Sequence, residues 1–520
     1  MFRYYVVVKD PQFKDEIYDE LVNKGGHEFV PDREVECVND HPGSTYNGEF
    51  MLTDEEADAL RQDPRIWDVH RDPLEMGAVI RKFTVDPARN FSKDTNQINA
   101  TEVNWGLLRS IFRSDPYGSS TSTVSTWNYT LDGTGVDLVF LDTGILKYHP
   151  EFAKNEDGTG GSRVVDIDWA QFGIMTGNPG TSWVGDSDGH GTNVASIAAG
   201  ITNGWAKGAS IYSINIIDST VNSNTYTDPL SAYQTVRAFH NAKTPNKFGW
   251  KRPTVISNSW GYEQQYTGMV STNYQGSTYS NTTPNSLYGQ VPTQGAAQNT
   301  AAHGIRVTAI EAEILACQNA GIVFVASAGN NSHKIDVVGG ADYNNYWSDN
   351  VGTRNYYHRG TTPGAATNVI CVGALSHTLP EHKISFSCTG PRIDVYAPGN
   401  YIMGAYSSST YYFNAIPDPR SSVSTTTNTT FYLNKISGTS QAAPQVAGVV
   451  ACLLQARPFY TQKLVNQWLT SNATANSLNE TYYGATTSTV YLNYASLQGG
   501  ANAQLYHPFS GANPTTITSS

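Results

Sequence analysis

Residues 136–144 read VDLVFLDTG, and the first seven of them decide the fold. Val136, Leu138, Val139, Phe140 and Leu141 make a strand apolar at odd and even positions alike, interrupted by Asp137 and closed by Asp142. Such a strand has no face to offer water, so it belongs inside a sheet covered on both sides. The pattern recurs at SIYSINIID (210–218), TVISNSW (254–260), GIVFVASAGN (321–330), NVICVGA (368–374) and RIDVYAP (392–398). Helical segments such as HGTNVASIAAG (190–200) and HGIRVTAIEAEILACQNAG (303–321) separate these runs. The alternation predicts an α/β fold with a mostly parallel sheet between layers of helices. Function in such a fold collects at the carboxyl ends of the strands, where Asp142 and Asn330 stand.

Outward from this core, RYYVVV (3–8) reads as a strand and PQFKDEIYDELVNKG (11–25) as a helix, with Phe13, Ile17, Tyr18 and Leu21 on one face. TYNGEFMLTDEEADALRQDPRIWDVHRD (45–72) then gives strand, helix and strand, with Thr53 and Glu56 spaced for a capping box. This order predicts a small α+β, ferredoxin-like domain over residues 1–75. A polar linker is expected over 76–102 and a large α/β domain over 103–502. Ser/Thr/Asn/Tyr-rich insertions at 262–303 and 405–433 read as surface loops or short hairpins, and 503–520 as a loose polar tail.

The 520 residues carry 33 Lys and Arg against 45 Asp and Glu, a net charge of −12. That balance argues against nucleic acid or an anionic membrane as partner. The five cysteines are widely spaced and form no CxxC pair, which fits neither a disulfide scaffold nor a zinc site. No apolar run is long enough to span a membrane. The opening MFRYYVVVKDPQFKDE reads as an ordinary strand, not a signal peptide, so an intracellular, lysis-released or virion-associated protein is expected.

Three short segments carry chemistry in the order Asp, His, Ser: Asp142-Thr143-Gly144, His190-Gly191-Thr192 and Gly438-Thr439-Ser440. Amide hydrolysis needs a nucleophile, a base for its proton and donors for the oxyanion. Ser440 opens the small-residue helix QAAPQVAGVVACLLQA, where backbone N–H groups surround its hydroxyl. His190 is the candidate base, and Asp142, a carboxylate ending an apolar strand, needs such a partner. An α/β-hydrolase is excluded because there is no G-x-S-x-G elbow and its triad runs in another order.

In these motifs the chain resembles the subtilisin-like serine proteases (subtilases, peptidase S8), nearest to the proteinase K branch. DTG, HGTNVA and GTSQAAP match the family's segments, although Asn193 and Ser196 replace its usual His and Gly. The resemblance implies a three-layer subtilisin-like fold and a broad-specificity endopeptidase with an apolar preference, acting on proteins or peptides through an acyl-enzyme. It makes Asp142, His190 and Ser440 the triad and Asn330 the oxyanion donor. Ser259, Trp260, Gly261, Ala328 and Gly329 would border the substrate. Residues 1–75 are similar to the family's inhibitor I9-like propeptide, which implies an intramolecular inhibitor and chaperone, hence a zymogen, and an extracellular location as the family's alternative. No cofactor is implied for the chemistry. A structural calcium is implied at Asp394, with backbone carbonyls near Thr367 and Val369. The missing signal peptide and polar insertions leave a second reading, a virion or surface assembly protein on the same scaffold.

Overall fold

The computed structural model describes residues 1–30, 32–40, 46–71, 84–95, 98–172, 186, 188–217, 227–247, 249–266, 269–280, 301–407, 415–423, 430–482, 494–509 and 518–519. Expectations for 72–83, 96–97, 267–268, 281–300, 408–414, 424–429, 510–517 and 520 lie outside the described residues. The chain divides into two compact units, Met1–Lys82 and Phe83–Ser520.

The first unit is an antiparallel sheet with two helices. Strands β1 (Phe2–Val8), β2 (Cys37–Asn39), β3 (Asn47–Leu52) and β4 (Ile66–Arg71) lie in the order β2-β3-β1-β4. Helix α1 (Lys14–Val22) buries Ile17 and Leu21, and α2 (Asp54–Leu60) buries Ala57 and Leu60. At the start of α2 the Thr53 hydroxyl accepts from Glu56 N, and the Glu56 carboxylate accepts from Thr53 N at 2.8 Å. The capping box thus satisfies two otherwise unpaired donors.

The second unit is built on a sheet of eight strands. Six are β5 (Asp137–Asp142), β6 (Ser210–Asn215), β7 (Thr254–Asn258), β8 (Val323–Ser327), β9 (Ile370–Leu375) and β10 (Val395–Pro398). They run parallel in the order β6-β5-β7-β8-β9-β10. Every residue of β5 is buried. Leu138 and Phe140 join one apolar cluster with helices α3 (His190–Ala199) and α6 (Thr439–Ala456). Val139 and Leu141 join another with α4 (Pro229–Ala242) and α5 (Thr308–Asn319). Alternate residues feed opposite faces, so the layers are helix, sheet, helix. Asp137 is tolerated at the start of β5 because Lys243 and Arg252 each pair with it at 2.7 Å.

Three boundaries differ from the sequence reading. Thr84–Val85 and Arg89–Ser92, within the expected linker, and Glu102–Asn104, at its end, are strands of the second unit. Phe91 and Lys93 are buried there, Lys93 against Asp115 at 3.0 Å. Backbone pairing with Ser122–Ser125 organises a segment whose side chains are mostly polar. The expected loose tail begins with Ala503–Gln504, which pairs with β10, and Leu505 and His507 are buried. The tract from 405 begins inside the buried strand Ile402–Tyr406, which packs on α3.

Candidate active site

Asp142 ends β5 and His190 begins α3. The His190 Nδ1 lies 2.8 Å from Asp142 Oδ1, which also accepts from Thr143 N at 2.8 Å. Burial opposes charge on the imidazole, but Asp142, then Asp188 and Asp186, outweigh it and push the pKa up to about 9.

A further carboxylate, Asp186, not singled out in the sequence, assembles this corner. Its buried oxygens accept from Thr143 Oγ1 at 2.9 Å, Gly189 N at 2.8 Å, Thr192 N at 2.9 Å and the Thr192 hydroxyl. Thr143 Oγ1 accepts in turn from Gly191 N at 2.8 Å. The strand end bearing Asp142 and the helix start bearing His190 are thereby tied to one point. Burial pushes the Asp186 carboxyl up to about 6, against the donors of Thr192, Gly189 and Thr143. Gly191 is dictated by the same closeness, since a Cβ there would lie 2.0 Å from Gly144 O. The Asp-Ser-Asp-Gly run before His190 was the available signal, but it reads equally as a solvated turn.

Ser440 is the second residue of α6, so its N–H has no partner within the helix. The Ser440 hydroxyl donates to Ser259 O at 3.1 Å, and the Ser259 hydroxyl donates to Ser440 O at 2.9 Å. The second bond has a cause in sequence. Residue 444, four positions on, is proline and offers no N–H to the Ser440 carbonyl. Ser259 supplies the missing donor, so it anchors the start of α6.

Asn330 follows β8. Its Oδ1 accepts from Thr439 N and Thr439 Oγ1, both at 2.9 Å, capping α6 from another element. With the oxygen so fixed, the amide Nδ2 faces the other way, and a Cβ built on Gly438 would lie 3.5 Å from it. Asn331, its neighbour, donates to Glu263 at 2.7 Å. The helices carrying His190 and Ser440 are joined by Gln441 Nε2, which donates to Asn193 Oδ1 at 3.1 Å. Asn193 also donates to Ala405 O at 3.2 Å, and Ser196 Oγ accepts from Ala405 N at 2.8 Å. The two departures from the family's motif therefore bind α3 to the strand Ile402–Tyr406. Gly404 makes room, since a Cβ there would lie 2.7 Å from Asn193 Nδ2.

Trp260 packs between Tyr233, stacked at 6.4 Å, and Tyr262, edge-on at 5.6 Å. Gly261 is required by Thr361, whose Oγ1 would lie 2.6 Å from a Cβ. Ala328 is buried, with its N–H on Val372 O at 3.0 Å, and Gly329 turns the chain at φ 103°.

The oxygens expected to hold calcium are engaged by nitrogen donors. Asp394 Oδ2 accepts from Arg392 Nη1 and from Cys371 N, each at 2.8 Å. Val369 O accepts from Arg392 Nη2 at 2.7 Å and Thr367 O from Gln318 Nε2 at 3.1 Å. A guanidinium stands where these residues would face a metal, so they do not fit one as arranged. Among the described residues, Glu20, His27 and Asp63 of the first unit also converge. Arg65 spans both of those carboxylates at 2.7 Å. His27 Nδ1 accepts from Phe29 N at 3.2 Å, which leaves the proton of the neutral ring on Nε2, facing the acids instead of a metal.

Residues 133–489 match the family described as Subtilase family, Peptidase_S8. The chain is 27% identical over 425 residues to an extracellular serine proteinase of Thermus sp. (strain Rt41A), covering 82% of this chain and 70% of that one. It is 25% identical over 448 residues to alkaline serine exoprotease A of Vibrio alginolyticus, covering 86% and 58%. It is 26% identical over 424 residues to subtilisin-like serine protease Cur l 4.0101 of Cochliobolus lunatus, covering 79% and 58%. The chain thus spans little more than half the length of the last two relatives. A crystal structure of a cold adapted subtilisin-like serine proteinase aligns at a TM-score of 0.46 and 20% identity, over 79% of this chain and 99% of that one.

Proposed function

The chain belongs to the subtilase family of serine endopeptidases, and on that premise we propose that Asp142, His190 and Ser440 hydrolyse peptide bonds through an acyl-enzyme. The observation that carries the reading is the pairing of His190 with Asp142 in a unit whose two chemistry-bearing helices are locked together. The Ser440 hydroxyl leaves the Ser259 carbonyl, turns to His190 Nε2, gives up its proton there and attacks the substrate carbonyl carbon. Asp142 holds the imidazole in the required tautomer and stabilises the imidazolium. Asn330 Nδ2 and Ser440 N donate to the oxyanion. His190 then gives the proton to the leaving amine, and water repeats the cycle on the ester. His190 must start neutral, so its raised pKa makes the free enzyme most active on the alkaline side.

Specificity follows from the aromatic wall of Trp260, flanked by Tyr233 and Tyr262. Residues that are apolar just before the scissile bond are favoured, broadly, because each apolar contact is worth about 1–3 kcal/mol. The unit Met1–Lys82 is read as an inhibitory propeptide. Its removal falls before Thr84, since Thr84–Val85 and Arg89–Ser92 are strands of the protease unit. The deciding experiment labels the intact chain and Ser440→Ala with a fluorophosphonate and reads both N-termini by mass spectrometry. Labelling and trimming confined to the intact chain support the proposal. Equal labelling of Ser440→Ala refutes the nucleophile, and a fully active protein still beginning at Met1 refutes the propeptide.

A further inference from the structure

The segment Ala365–Val369 leads into β9 and turns three backbone carbonyls towards one point. Ala366 O and Val369 O accept from Arg392 Nη2 at 2.8 and 2.7 Å, and Ala365 O lies 3.4 Å from Arg392 Nε. The fourth oxygen is the Asp394 carboxylate, on Arg392 Nη1 at 2.8 Å and fixed from behind by Cys371 N. Carbonyl dipoles and a carboxylate aimed together repel one another unless a positive charge sits among them. Ala365, Ala366 and Val369 are buried, so water does not compensate their carbonyls and reaches the group chiefly at Asp394, which is 29% exposed.

We infer that Arg392 is a built-in replacement for a structural metal ion: its guanidinium fills a cation site of carbonyl and carboxylate oxygens and makes that site independent of calcium. A hard divalent ion asks for 6–8 oxygens around a point. A guanidinium instead satisfies fewer oxygens with directed N–H groups and stays charged at every working pH. It is also tethered to the chain, so no chelator removes it.

The site bears on the cleft through the same segment. Thr361 Oγ1 donates to Tyr262 O at 2.8 Å, and Tyr262 N donates to Thr362 O at 3.1 Å, beside Trp260. Ala365 N bonds Thr361 O at 2.7 Å, which couples the guanidinium site to that wall.

The test uses the full chain with Ser440→Ala, so that self-digestion does not enter. Tm and bound calcium, by equilibrium dialysis, are measured for this parent, Arg392→Ser, Arg392→Lys, Asp394→Asn and the Arg392→Ser/Asp394→Asn double variant. Each is measured in EDTA, in millimolar magnesium and in millimolar calcium. Arg392→Ser should melt several degrees below the parent in EDTA, bind one more calcium than the parent, and recover most of the gap in calcium but not in magnesium. The added calcium should vanish in the double variant. Arg392→Lys, which keeps charge but not the fork, should fall between parent and Arg392→Ser. The inference is overturned if Arg392→Ser melts with the parent in EDTA, or if calcium fails to narrow its deficit. It is overturned equally if the parent binds a calcium that Asp394→Asn loses, a comparison that stands even if Arg392→Ser does not fold.

Discussion

Raising the pH should make this protein more active and less stable over one and the same window, because both effects are the titration of His190. The folded pKa of about 9 stands above the ordinary value of 6.5. A histidine raised in this way contributes its stability in full below about pH 6.5 and loses it as pH climbs through about 9. The contribution is at most about 3 kcal/mol, and less in practice because the side chain is 22% exposed. In a unit of this size that is a few degrees of Tm. Catalysis has the opposite sign, since only the neutral ring takes the proton from Ser440. The assay compares Tm of Ser440→Ala with that of Ser440→Ala/His190→Gln from about pH 6 to about pH 10. The stabilising gap due to His190 should be widest at the acid end and shrink towards the alkaline end. In the active chain, kcat/KM on an uncharged peptide should climb about tenfold per pH unit below the midpoint and level off above it. A gap that is constant or widens with pH, together with kcat/KM already level at about pH 6.5, would show that Asp142, Asp188 and Asp186 do not hold the proton on His190.

Asp186→Asn should lower kcat by roughly 10–100-fold with little change in KM, and move the pH midpoint down, because one negative charge that raises the His190 pKa is gone; an unchanged pH profile would reduce Asp186 to a structural role. Ser259→Ala should cost about 1–3 kcal/mol by leaving the Ser440 carbonyl unpaired, and adding Pro444→Ala, which restores a backbone N–H four residues on, should recover part of it; strictly additive losses in chemical denaturation would sink that account. Asn330→Ala should cost about 10²–10³ in kcat, the scale of loss when subtilisin's own oxyanion asparagine is removed, and also destabilise α6 by removing its cap; a normal kcat would remove Asn330 from the oxyanion site. Gly191→Ala should abolish activity or folding, as its Cβ would meet Gly144 O at 2.0 Å; a fully active variant would show that the corner is looser than described.

The order of elements was legible in the chain because it rests on local patterns. Strands apolar on both faces have only one stable home, so the six parallel strands could be read one by one. Thr53 and Glu56 declared their capping box three residues apart. Asp142, His190, Ser440 and Asn330 stood out because each sits in a short motif at a strand or helix end. What joins distant segments was not legible. Ala503–Gln504 adds a strand with no periodicity to reveal it. Asp186 belongs to no motif that singles it out, and only folding brings Thr143 and Thr192 to its carboxylate. That Ser259 also satisfies the Ser440 carbonyl, which Pro444 leaves without a donor, had no local signal either. Asp394 and Val369 looked like metal ligands until Arg392, two residues from the one and far in sequence from the other, was found between them. Sequence determines which groups a chain possesses and how nearby ones repeat; which buried oxygen a given donor must satisfy is settled only when the tertiary structure removes water as the alternative.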